Sequence, residues 1–132
     1  MLNHHHEHRE NNGEEMLRQN KACERLWNLG KALTGEVGEI TISLFMTLLT
    51  VAKGTYGLGP QATSRTIQEE TGYSQSTVSR NIALLSDIGT KDKPGYGLIE
   101  VQIDPSDRRK QLLTLTRKGR DLCDKLALAI AS

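Results

Sequence analysis

Between residues 63 and 85, two helix starts and one glycine stop lie so close together that the segment can fold in few ways. Thr63 is a hydroxyl residue ahead of a short helical run that ends near Thr71, and Gly72-Tyr73 follows as a tight turn. Ser74 then caps a second helix, in which Val78, Ile82 and Leu85 fall at i, i+4 and i+7 and form one apolar stripe. Two short helices joined by a glycine turn are the helix-turn-helix pattern. Outside its stripe the second helix carries Gln75, Ser76, Thr77, Ser79 and Arg80, which are short hydrogen-bonding groups and one long cation. Such a surface suits the base edges of a DNA major groove about 12 Å wide, and Arg80 suits bidentate pairing with guanine. The plain alternative is an ordinary capped helix with a solvated face.

Two β-branched or apolar runs follow, residues 98–103 and 110–115, flanking Asp104-Pro105-Ser106-Asp107-Arg108-Arg109. This pattern predicts a hairpin with a charged tip. The chain as a whole has a formal net charge of only +1, yet residues 105–120 hold six Lys or Arg against one acidic residue, Asp107. A basic patch on a nearly neutral protein fits a polyanion met by one face, although solvated charge runs are as common. Arg108, Arg109 and Lys110 are three adjacent cations beside the expected tip. Narrow minor grooves attract inserted arginine through their deeper negative potential.

The rest of the chain reads as helices packed around this core. Residues 1–13 hold His4, His5, His6 and His8 with three asparagines and almost nothing apolar, which predicts a disordered tail. From Glu14, Met16, Cys23, Leu26, Trp27, Gly30 and Leu33 recur at helical spacing, as do Leu122, Cys123, Leu126, Ala129 and Ile130 in a last helix capped by Thr116. Residues 40–52 fit either an alternating strand or one helical face. Caps at Thr41 or Ser43 and the Lys53-Gly54 ending favour a helix over about residues 42–53, with Gly54 as its C′ residue. Both cysteines sit on apolar stripes, which predicts buried structural thiols. No stretch reaches the ~20 apolar residues of a membrane span, and residues 1–15 lack a secretory apolar core, so a cytoplasmic location is expected.

A helix-turn-helix followed by a basic hairpin defines a winged helix. The segment Gly72-Tyr73-Ser74-Gln75-Ser76-Thr77-Val78-Ser79-Arg80, with Asp104-Pro105-Ser106-Asp107-Arg108-Arg109 and the later Leu115-Thr116-Arg117-Lys118-Gly119, resembles the MarR family of transcriptional regulators. Ile40-Thr41-Ile42-Ser43-Leu44-Phe45 resembles the opening of that family's second helix. The resemblance implies a mostly α fold with a small β-hairpin wing (α+β). It implies a single domain over residues 14–132, with helices 14–34 and 116–132 for dimerisation and residues 36–115 as the DNA-binding lobe.

Its functional implication is a homodimer that reads a pseudo-palindromic site in double-stranded DNA and regulates transcription, with repression as the expected mode. Thr63, Ser74, Gln75, Ser76, Thr77, Ser79 and Arg80 from the two short helices, and Asp107, Arg108, Arg109 and Lys110 from the wing, make up the expected DNA-binding set. Within it the resemblance gives Arg109 to the minor groove, held in direction by Asp107, and Arg108 to phosphate. A small-molecule effector has no support in the residues, since the chain holds only one Trp, three Tyr and one Phe. No cofactor, resident metal or catalytic set is expected: there is no glycine-rich phosphate loop or nucleophile elbow, and every histidine lies in the expected tail. The competing reading is a winged-helix interaction module that docks a polymerase subunit or another regulator.

Overall fold

The computed structural model describes the backbone of residues 2–131 and the side chains of residues 12–131. In chain order the elements are α1 (Leu2–Val37), α2 (Ile42–Thr55), α3 (Ser64–Thr71), α4 (Gln75–Leu85), β1 (Ile99–Asp104), β2 (Asp107–Leu115) and α5 (Arg117–Ala131). The fold is mostly helical with one two-stranded antiparallel hairpin. The span of α1 takes in the segment for which composition predicts a tail. The side chains of that segment, His4, His5, His6 and His8 among them, lie outside the described ones. Among the described residues no single helix is long and apolar enough to cross a membrane.

Gly38, at φ 74°, ends α1 by donating its N–H to Thr34 O at 2.9 Å, and the chain turns through 92° into α2. Thr41 caps α2, its Oγ1 accepting the Leu44 N–H at 3.1 Å. The ambiguous segment is therefore a helix, with Leu44, Leu48, Val51 and Ala52 buried on one face. Gly54 is not its C′ residue. The helix runs on to Thr55, and a Cβ on Gly54 would stand 2.8 Å from Pro60 O and 2.9 Å from Ala62 N. The glycine is required because the strand-like segment before α3 lies directly on the end of α2.

Thr63 and Ser74 cap α3 and α4 as the sequence predicts. Thr63 and Thr66 form a reciprocal capping box, and Gly72 ends α3 at φ 76°. The buried face of α4 differs by one position from the expected stripe. Val78 and Leu85 are buried, but Ile82 is only half-buried and Asn81 takes the inner place. A polar residue is accepted there because Asn81 Nδ2 donates to Thr47 Oγ1 at 3.1 Å and Ser43 Oγ at 3.4 Å, which fastens α4 to α2.

After α4 the chain folds back on the helix end, with Tyr96 N–H on Leu84 O, Gly97 N–H on Ser86 O and Leu98 N–H on Leu85 O at 2.7–3.0 Å. β1 and β2 pair from Ile99↔Leu115 through Ile103↔Gln111, and then the register jumps to Asp104↔Asp107. The turn is therefore Pro105-Ser106 alone, tighter than the expected loop over residues 104–109. Leu113 N–H donates to Ala62 O at 2.9 Å and Leu115 N–H to Thr55 Oγ1 at 3.0 Å, so the root of the hairpin is tied to the end of α2 and the start of α3.

Thr116 accepts the Gly119 N–H at 3.1 Å and donates to Gly97 O at 2.7 Å, opening α5 against the wing root. α5 buries Leu122 and Leu126 and packs along α1, where Lys125 and Glu36 pair at 3.0 Å. The apolar stripes of both terminal helices are only partly covered within one chain. On α1, Leu33 is buried but Met16, Leu26 and Trp27 are exposed, and on α5 Ile130 is exposed. Cys23 is also exposed, against the expectation of a buried thiol, because no other part of the described chain reaches that face of α1. Cys123 is half-buried, and that burial together with Asp124 pushes its thiol up.

Candidate nucleic-acid interface

The first turn of α4 is held by a compact set of hydroxyls. Ser74 Oγ accepts the Thr77 N–H at 3.2 Å, donates to Thr77 Oγ1 at 3.0 Å and lies 3.2 Å from Ser76 Oγ. This cap satisfies an end group of the helix and fixes its start without covering it. Gln75, Ser76, Ser79 and Arg80 are exposed, Thr77 is half-exposed, and Val78 between them is buried. The helix thus offers one polar outer face on an apolar and polar seat, and it cannot rotate without breaking the Asn81 bonds to α2. Thr63 differs from the others. It is nearly buried with its hydroxyl engaged in the capping box, so it forms a wall rather than an exposed donor.

Arg80 also lines a cleft of about 320 Å³ between α4, α2 and the loop that follows α4, where Thr41, Ser43 and Tyr96 face it together with Lys93. Sequence reasoning marks Lys93 only as a loop cation. Nothing in the local pattern tells that the loop folds back far enough to put Lys93 on the same cleft as Arg80.

In the wing, Asp104 Oδ1 accepts both the backbone N–H and the hydroxyl of Ser106, at 2.9 and 2.7 Å. These bonds, the hydroxyl's first, hold the Asp104 carboxyl below its ordinary range, with Lys110 adding to the effect. Asp107 Oδ1 accepts the backbone N–H of Arg109 at 3.0 Å. Asp107 therefore directs Arg109 through the main chain, not through an ion pair with its guanidinium. Arg108, Arg109 and Lys110 lie beside the two-residue turn, as the sequence predicts, on β2 in the stretch where the register with β1 shifts, and all three are exposed. A register shift of this kind bends a strand and re-aims its side chains. Arg109 and Lys110 face α3 across a cleft of about 820 Å³.

No protein-family model matches the sequence, and no curated protein matches it. Solved structures do. The PcaV transcriptional regulator from Streptomyces coelicolor, in complex with its natural ligand, is 27% identical with a TM-score of 0.54, over 90% of this chain and 72% of that one. The transcriptional regulator Tm0710 from Thermotoga maritima is 21% identical with a TM-score of 0.63, over 92% and 74%. A mutant of MarR from E. coli, complexed with operator DNA, is 17% identical with a TM-score of 0.58, over 88% and 72%. The chain has the MarR-type winged-helix fold. In that fold α3 and α4 are the helix-turn-helix, β1 and β2 the wing, and α1 with α5 the helices that flank the lobe. The MarR-type assignment rests on the whole succession of elements, since each similarity extends over most of both chains.

Proposed function

We infer that the protein is a transcriptional regulator that binds double-stranded DNA sequence-specifically, with α4 in the major groove and the wing in the adjacent minor groove, and that it acts as a repressor. The observation that carries this reading is the one-sided exposure of Gln75, Ser76, Ser79 and Arg80 on α4 together with Arg108, Arg109 and Lys110 on β2. Base edges need short donors and acceptors with one long cation, and phosphates need cations, and both sets are present on one small lobe. The operator-bound state of the structurally similar E. coli protein supports the reading. A homodimer built on the exposed parts of α1 and α5 would set two recognition helices about 34 Å apart, one turn of DNA.

Selection of bound fragments from a random duplex pool, followed by salt titration on the selected and on random duplex, tests this function. The expected result is an enriched, two-fold symmetric motif and a steep fall of affinity with salt. Absence of enrichment, with no salt-dependent binding, would transfer the function to protein interaction.

A further inference from the structure

The cleft between α3 and the wing has a cation on each wall. Arg65 stands on α3, while Arg109 and Lys110 stand on β2. Two acidic groups line it as well, Glu69 on α3 and Asp107 on β2. Asp107 is occupied by the Arg109 backbone N–H. Glu69 is paired with Arg65, from Nε to Oε1 at 3.1 Å, one turn along the same helix. That pair is solvent-exposed, at 87% for Arg65 and 63% for Glu69. Pairs so exposed are weak, because water screens them and both long side chains lose freedom.

The position of the cleft decides what it meets. With α4 in a major groove and the wing in the neighbouring minor groove, the sugar-phosphate strand that divides those grooves has to pass between the helix-turn-helix and the wing. That passage is this cleft. The geometry points to Arg65 as a further contact to the DNA backbone, and to Glu69 as the group that the phosphate displaces from it. The inference rests on the DNA-binding reading above. A phosphate offers Arg65 several charged acceptors and a fork geometry where Glu69 gives a single bond, so exchange of partners favours the bound state. Glu69 then has two effects on binding: it holds Arg65 in the free protein, and it places a negative charge beside the incoming strand. Neither effect depends on base sequence.

The test uses the full chain and its Arg65→Gln, Arg65→Lys and Glu69→Gln variants, each titrated with salt on the selected duplex and on random duplex. Arg65→Gln should weaken both duplexes by the same factor, on the order of tenfold, and reduce the salt slope by about 1. Arg65→Lys, which keeps the charge, should restore the slope. Glu69→Gln should tighten both duplexes equally. Both side chains are exposed, so unchanged circular dichroism and melting are expected for all three variants. If the parent binds DNA and Arg65→Gln matches it in affinity and slope, this inference is wrong while the DNA-binding reading stands. If Arg65→Gln alters base preference instead, Arg65 reads sequence and the backbone assignment is overturned. If the parent binds neither duplex, both readings fall together.

Discussion

At the scale of single residues the proposed DNA interface divides by what each cation can touch. Arg80 stands on the outer face of α4, so Arg80→Ala should cost about 1 to 3 kcal/mol on the selected site and blur preference at one base position, with a smaller loss on random duplex. Lys110 lies on β2 at the α3 cleft, and Lys110→Ala should lower affinity on all sequences and reduce the salt slope by about 1. Arg109→Ala should weaken sites with A·T-rich flanks most, because minor-groove width is what an inserted arginine senses. Titrations of the three variants on both duplexes check this. Equal, sequence-independent losses for Arg80 and Lys110 would mean that α4 only holds phosphate. The wing turn has its own residue-scale test in Asp104. Its carboxyl is held low by Ser106, so the stabilisation is fully present above the unfolded carboxylate pKa of about 3.9 and is lost as pH falls through the lower folded value. Ser106→Ala removes the hydroxyl bond and should raise the Asp104 pKa toward its ordinary value, as read by carboxyl NMR titration. An unchanged titration would refute the hydroxyl's role.

At the scale of elements, what the sequence discloses is what local chemistry decides. Thr41, Thr63, Ser74 and Thr116 each accept a backbone N–H near a helix start, and Gly72 ends α3 in the left-handed region, all within four residues of the bonds they make. Caps and turns of that kind need no tertiary partner. The features that escape the sequence are those set by another element. Asn81 displaces Ile82 from the inner face of α4 only because Thr47 and Ser43 on α2 are there to accept its amide. Gly54 reads as a helix stop but serves a close approach of residues 60–62. The arginines of the wing read as loop residues beside the tip but lie on β2, since the register shift is a property of the pair of strands. Of the proposed interface, the exposed outer residues of α4 and the exposed wing cations are legible from pattern. Arg65, Glu69 and Lys93 are not, because their significance comes from what faces them across a cleft.

Gly119 shows the same dependence and gives an element-scale prediction with an unusual sign. In an isolated helix, glycine to alanine stabilises by about 1 kcal/mol. In α5, however, a Cβ at Gly119 would run into the Leu98 carbonyl oxygen and meet Leu115 Cδ2 at 3.1 Å, where α5 crosses the wing root. The obstacle is backbone, which also accepts the Thr116 N–H at 3.0 Å and cannot move freely. Gly119→Ala should therefore destabilise by about 1 to 3 kcal/mol through overpacking. Chemical denaturation measures it, and a stabilised variant would show that α5 can shift off the wing without loss.

At the scale of the whole molecule, the lobe that holds the interface is covered on its inner side, while the flanking helices are not. Met16, Leu17, Leu26 and Trp27 on α1 are 58–68% exposed, and Leu128 and Ile130 on α5 are 73% and 44% exposed. Exposed apolar patches of this kind are rare on monomers that stay monomeric, and a symmetric partner covers the same patch on both copies at once. Trp27 is the only tryptophan, which makes it a reporter of its own burial. The proposed homodimer predicts that dilution shifts Trp27 emission to the red as the face meets water, in step with a fall in the mass found by sedimentation. Trp27→Glu places a charge on each copy at the same surface and should give a monomer whose fold, by circular dichroism, is intact. That monomer should lose the two-fold motif, and its salt slope on DNA should fall to about half, because half of the phosphate contacts are gone. A parent protein that sediments as a monomer at micromolar concentration with and without DNA, or a Trp27→Glu variant that still binds as a dimer, would place the assembly surface elsewhere.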